Sequence, residues 1–207
     1  MDWHNYLTFT KAGNREGSKG AISELCSDPL DSSLIVQQGG KHRAATLAGR
    51  MFVACNTAAV TTVAGVTAAA WTGLGIANPT GSGIKIIVHE FNFAQWAILT
   101  AEGILALATT TDAGFAYAIT PRNRMFGGPP SKAMADDGAT LTTAGVTEQH
   151  IASLTHGAAT VSGSPVIGSF DLHGSLVLLP GRSVITNTDA IQTTVLSFGF
   201  MWEEIPL

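Results

Sequence analysis

The chain reads as an all-β protein: a two-sheet antiparallel β-sandwich of jelly-roll type with an extended N-terminal arm. Three observations predict this. From Arg50 onward, short apolar runs recur between Gly, Pro, Asn and Thr, the pattern of strands separated by turns. The last run alternates Leu196, Phe198, Phe200 and Trp202 with Ser197, Gly199 and Met201, the period of two expected of a half-buried antiparallel strand. No segment sustains a 3.6-residue apolar period with caps at its ends, so helices are not expected. Roughly eight strands on the remainder of the chain suit two packed sheets.

Residues 1–49 are read as the arm. The first fifty residues hold 11 of the 26 charged side chains and are punctuated by Gly13, Gly17, Gly20, Pro29, Gly39 and Gly40. Only Leu34-Ile35-Val36 looks like a strand there, so this segment is expected to pack on something else rather than build its own core. The sandwich domain is read over residues 50–207. It opens with Met51–Cys55 and continues with Leu74-Gly75-Ile76-Ala77, which runs into the turn formers of residues 78–83. Ile84–Gln95 reads as one long strand. Its apolar phase starts on Ile84, Ile86 and Val88 and switches to Phe91 and Phe93, so a bulge is expected near His89-Glu90, because one extra residue exchanges the two faces. Residues 103–108 are apolar on both faces, as in a strand covered on both sides. Leu176 to Leu179 ends at the Pro180-Gly181 turn, and Ser183 to Thr186 begins the next strand. Residues 122–165 break the rhythm and are read as a long loop excursion, with a short helical turn at 148–154 and a role as a contact arm.

Composition narrows the function. Charged residues make up 13% of the chain, about half the 25% usual for a soluble domain, and more than a third of the residues are Ala, Gly or Thr. Such a chain has too little charge to cover a free-standing monomer and is expected to bury much of its outside against a partner. The net charge of −4 argues against nucleic acid as that partner. Residues 51–84 carry no charge at all, but they are too rich in Thr and Gly for a membrane span. The first residues have neither the basic nor the apolar region of a secretory signal. Cys26 and Cys55 are isolated and are expected to be reduced thiols in a protein made in the cytoplasm.

No catalytic or cofactor motif is found, and neither enzyme activity nor a metal is expected. His89-Glu90 starts like a zinc HExxH motif, but Phe93 stands where the second histidine belongs. His150 and His156 are six apart, a poor spacing for one ligand face, and His4, His42 and His173 have no acidic or cysteine partner nearby in sequence. The glycines of residues 13–20 lack the GK[ST] ending of a phosphate loop, and Ser164 before Pro165 is no nucleophile elbow. Asp136-Asp137 and Glu203-Glu204 are adjacent carboxylates whose side chains diverge on a strand, and are read as solvated faces or interface pairs. Trp71, Trp96 and Trp202 lie in expected strands and are read as core. Trp3, Tyr6 and Phe9 have no local core and are candidate anchors for a partner. Lys41 and Arg43, beside His42 and with Arg50, form the basic cluster, which lacks stacking aromatics and suits an acidic protein surface better than single-stranded nucleic acid.

The block from Phe170-Asp171-Leu172-His173-Gly174-Ser175-Leu176 to Leu178-Leu179-Pro180-Gly181, with the ending Phe200-Met201-Trp202-Glu203-Glu204-Ile205-Pro206, resembles jelly-roll virion structural proteins of tailed bacteriophages. Gly49-Arg50-Met51-Phe52 and the turn at 78–83 belong to the same pattern, which spans residues 49–207 apart from 122–165. The class it is most similar to is the capsid decoration, or cement, proteins. The resemblance implies a homo-oligomer, a trimer in preference to a dimer, seated on the outer capsid surface of the virion. It implies the major capsid protein as partner, no catalytic residues, and synthesis in the host bacterial cytoplasm. The alternatives are a tail, baseplate or head-fibre protein that recognises a host surface and, further off, a cupin-like enzyme.

Overall fold

A computed structural model of the chain describes residues 42–67, 69–99, 101–111, 115, 118–154 and 166–207, together with the backbone of two short strands ahead of them. The chain divides into two units, Met1–Lys41 and His42–Leu207. In the first, β1 (Phe9–Thr10) pairs antiparallel with β2 (Ile22–Ser23), Phe9 standing opposite Ser23. The expected arm otherwise lies outside the described residues as far as Lys41. Residues 42–49 belong to the second unit, where they form the short helix α1 (Arg43–Leu47) and the turn into the first sheet.

Apart from α1, the regular structure of the second unit is all strand among the described residues. In chain order it comprises β3 (Met51–Cys55), β4 (Ala70–Asn78), β5 (Ile84–Gln95), β6 (Gly103–Thr110), β7 (Arg122–Asn123), β8 (Met134–Thr140), β9 (Val146–Leu154), β10 (Val166–Leu178), β11 (Arg182–Thr188) and β12 (Leu196–Pro206). They form two packed antiparallel sheets of five strands, ordered β10-β5-β12-β3-β7 and β8-β4-β11-β6-β9. The pairs β3·β12, β4·β11, β5·β10 and β6·β9 are nested about one centre. The second unit is therefore one long hairpin, whose successive rungs fall alternately in the first sheet and the second. β7 and β8 lie in the connection between β6 and β9 and add a strand to the free edge of each sheet.

The inward faces of the sheets fuse into one apolar core. From the first sheet come Phe52, Ile84, Ile86, Val88, Phe91, Phe198, Phe200 and Trp202, and from the second Leu74, Ile76, Leu105, Leu107 and Val184. Phe91 tilts against Phe200 at 5.0 Å between ring centres, and Phe52 stacks on Trp202 at 6.2 Å, geometries that add to the burial of the rings themselves.

The bulge expected in β5 is present and sits on His89. Val88 faces Trp202 and Glu90 faces Met201, which leaves His89 without a partner on β12. On the other side Val88 faces Leu176 and Glu90 faces Asp171, so residues 172–175 of β10 swing out of the ladder. His173 and Gly174 make that excursion in the left-handed region, at φ of 50° and 70°. The alternation of β12 is also as expected on its inward face. Its outward face is covered more than a half-buried strand requires, with Ser197 and Gly199 buried too. β12 is the middle strand of its sheet, and a Cβ at Gly199 would lie 2.4 Å from Asn92 Oδ1 and 2.8 Å from Cys55 Sγ.

The double cover expected for residues 103–108 holds from Leu105 to Ala108, while Ile104 is exposed, and it has a specific cause. A second apolar cluster, built on Trp71, Ala108, Phe115, Leu141 and Ile185, lies on the outer face of the second sheet. Phe115 packs over Gly75, where a Cβ would come within 2.4 Å of its ring. Trp71 Nε1 donates to the Thr186 carbonyl at 2.9 Å, which satisfies the one polar atom of this buried ring.

Three expectations are corrected. Residues 122–154 carry β7, β8 and β9 rather than a loop excursion, and 148–154 is strand rather than a helical turn; residues 155–165 lie outside the described residues. Edge strands need only one paired side and little burial, so their composition can be polar. Among the described residues ten strands, against roughly eight expected, build the sandwich. Trp96 is not core: it follows the end of β5, is 63% exposed, and donates from Nε1 to Ser197 Oγ at 2.8 Å. Among the described residues, no helix is long and apolar enough to cross a membrane.

Candidate interaction surface

The β3–β7 edge of the first sheet concentrates cations. Arg43 opens α1, Arg50 precedes β3, Arg122 pairs opposite Val53 on β3, and Arg124 follows β7, its N–H donating to the Met51 carbonyl at 2.8 Å. All four are exposed. Residues 42–55 and 118–130, which form this edge, contain these four arginines and no carboxylate. Asn123 holds the two segments together. Its Nδ2 donates to the carbonyls of Gly49 and Pro129, each at 2.8 Å, and its Oδ1 accepts the Met125 N–H at 2.8 Å. The two turns so joined expose large apolar side chains, Leu47 at 67% and Phe126 at 98%. Solvating an isolated phenyl ring so fully is unfavourable, so Phe126 is the natural anchor of the edge.

Carboxylates from β12 brace the edge from behind. Glu203 Oε1 accepts from Arg50 Nε at 3.0 Å, and its Oε2 lies 3.5 Å from Nε2 of the bulged His89. The His89 ring in turn lies 4.5 Å, centre to centre, from that of His42. Glu204 points the opposite way and is buried. It accepts from the N–H groups of Lys132 and Ala133 at 3.1–3.2 Å, from the indole of Trp202 at 3.3 Å, and from the Ser131 hydroxyl. Asp136 is buried as well. The reading of these pairs as solvated faces therefore holds for neither Glu204 nor Asp136, although neighbouring carboxylates do diverge across each strand.

Cys55 ends β3 on the same edge as a free, exposed thiol. Partial burial of its sulfur raises its pKa, and the Arg124 guanidinium pulls the other way. The opposite side of the sandwich is different in kind. From Val146 to His150, β9 is exposed on both faces, and β10 exposes Val166 and Ile167, the latter at 79%. These two strands carry Glu148 and Asp171 and neither Lys nor Arg.

Of the residues singled out in the sequence, the fold brings together Arg43 and Arg50 and adds Arg122 and Arg124, which sequence reasoning missed. Their signal is visible only once β7 is known to pair with β3. Trp3, Tyr6 and Lys41 lie outside the described residues, and for Phe9 only the backbone of β1 is described. Two clefts of about 130 and 140 Å³, one lined by Asn78, Thr80 and Met134 and the other by Thr110, Val146 and Arg182, are smaller than the roughly 300–1,000 Å³ of ligand pockets. Among the described residues no group of three or more His, Cys, Asp or Glu is arranged to hold a metal ion. Comparison with known proteins finds no matching family model, no matching curated protein and no matching solved structure.

Proposed function

We propose that the chain is a virion structural protein of a tailed bacteriophage, a decoration protein that binds the major capsid protein and stabilises the assembled shell. The observation that carries this reading is its apolar exposure. Phe126, Ile167, Leu207, Leu47, Val146 and Trp96 stand exposed on a charge-poor sandwich, which suits broad protein contacts. The nested pairing of eight strands, first with last through fourth with fifth, supports a jelly-roll reading of the sandwich. The resemblance of residues 49–207 to virion proteins supports the rest: a homo-oligomer, a trimer by preference, on the outer capsid surface, with the residues ahead of His42 as an arm that clamps neighbouring subunits.

The mechanism is linkage. A protein that binds the assembled shell and not its dispersed subunits shifts the balance toward the shell. Many repeated weak contacts then act together through high effective concentration. The test is to add purified protein to shells stripped of it. Saturable binding at a fixed ratio to the capsid protein, with a raised shell melting temperature, is expected. Shells that neither bind the protein nor gain stability would remove the reading.

A further inference from the structure

We infer that copies of this chain associate head to tail, the arginine edge of one copy seating on the β9–β10 edge of the next. The inference rests on the homo-oligomer in the proposed function and names the surfaces that make it. The two edges are complementary in charge. Residues 42–55 and 118–130 hold four arginines and no carboxylate, Arg50 alone being met by Glu203 from β12, while β9 and β10 hold Glu148 and Asp171 and neither Lys nor Arg, Asp171 lying 3.3 Å from His173 Nδ1. They also match in apolar exposure: Phe126 and Leu47 on one side, Val146, Val166 and Ile167 on the other. Complementary charge fixes which surfaces meet and in what register, while the desolvated apolar anchors supply most of the affinity.

The placement of the edges sets the symmetry. β7 and β10 are the two outermost strands of the first sheet, at its opposite ends. The arginine edge cannot face its own copy across a two-fold axis without opposing guanidinium to guanidinium, a like-charge arrangement that costs several kcal/mol. A contact between two different surfaces is heterologous, and a heterologous contact closes into a ring when its rotation permits. The contact also covers the exposed side of β9, where five consecutive residues are open to solvent on both faces. An open edge strand of that length is a hazard for a protein that stays monomeric.

The experiment is sedimentation velocity on the full chain across a concentration series. It compares the wild type, R122E/R124E, E148R/D171R, the combined four-site variant and F126S. The wild type is expected to sediment as an oligomer. Each charge-reversed pair should weaken association at least about tenfold, and the combined variant, with both edges inverted, should recover to near the wild-type affinity. F126S, at a fully exposed position, should weaken association without changing the melting temperature, and it decides the matter should a charge-reversed variant fail to fold. A monomeric wild type would overturn the inference, while shell binding would still judge the decoration reading separately. An oligomer indifferent to F126S and to both reversals would overturn the inference and leave the oligomer standing. Loss in both reversals without recovery in the combined variant would also overturn it, since the two edges would then face different partners.

Discussion

Replacing Glu204 by Ala removes a carboxylate that four donors share: the Lys132 and Ala133 N–H groups, the Ser131 hydroxyl and the Trp202 indole. Ser131 is only partly buried and Lys132 is exposed, so their donors can turn to water. Ala133 is nearly fully buried, but its N–H also donates to Ser131 Oγ at 3.0 Å and keeps that acceptor. Trp202 is fully buried, and its indole N–H would be stranded. A stranded donor costs about 1–3 kcal/mol, so E204A should lose about 1–3 kcal/mol. E204Q keeps an acceptor in place and loses only the charge assistance, which should cost about 1 kcal/mol. For a chain of this size each kcal/mol shifts the melting temperature by about 2–4 °C, so E204A should melt about 2–12 °C low. Urea unfolding is the cleaner assay, because an unchanged slope separates lost stability from an altered unfolded state. An E204A protein within about 0.5 kcal/mol of wild type, the range of a neutral surface change, would refute the claim that this carboxylate satisfies buried donors.

Other consequences are as direct. Gly75→Ala places a methyl group 2.4 Å from Phe115 and 2.8 Å from Ile185, both buried, and should cost about 1–3 kcal/mol through overpacking, read by the same urea titration. Alkylation of Cys55 in a Cys26→Ser background should reach half its maximal rate at a pH above that of an unhindered cysteine, because burial disfavours the reactive thiolate. Arg124→Gln should move that midpoint further up, since it removes the cation that lowers it; a downward move would contradict the assignment. Deleting residues 1–40 should leave the sandwich folded by circular dichroism and abolish binding to shells, whereas unchanged binding would take the arm out of the account.

What the sequence made legible follows the strength of burial. The switch from Ile84, Ile86 and Val88 to Phe91 and Phe93 places a bulge near His89-Glu90, because a core on one side of the strand forces every inward residue to be apolar, and the register puts it on His89. β12 was legible for the same reason. β9, with the sequence VTEQHIASL, gave no such signal, since its first five residues face solvent on both sides. β7 is two residues long and carries only polar side chains, so its pairing with β3, and with it the arginine edge, could not be read. The contact of His42, His89 and Glu203 joins residues far apart in the chain through a helix start, a bulge and a central strand. Nothing local to any of the three announces it. Trp96 was misplaced because aromatic residues are enriched in strands, while its position one residue past β5 puts it at the rim. The polar partner at Ser197 that makes this tolerable lies on another strand.

The central claim is that this chain decorates a capsid. Copy number and position in purified phage particles, by quantitative mass spectrometry with electron microscopy, test it most directly. The account predicts copies in the hundreds, with sandwich-shaped density over the capsid lattice. A handful of copies at a single vertex would contradict it and assign the chain to the tail, and absence from particles would contradict a virion role altogether.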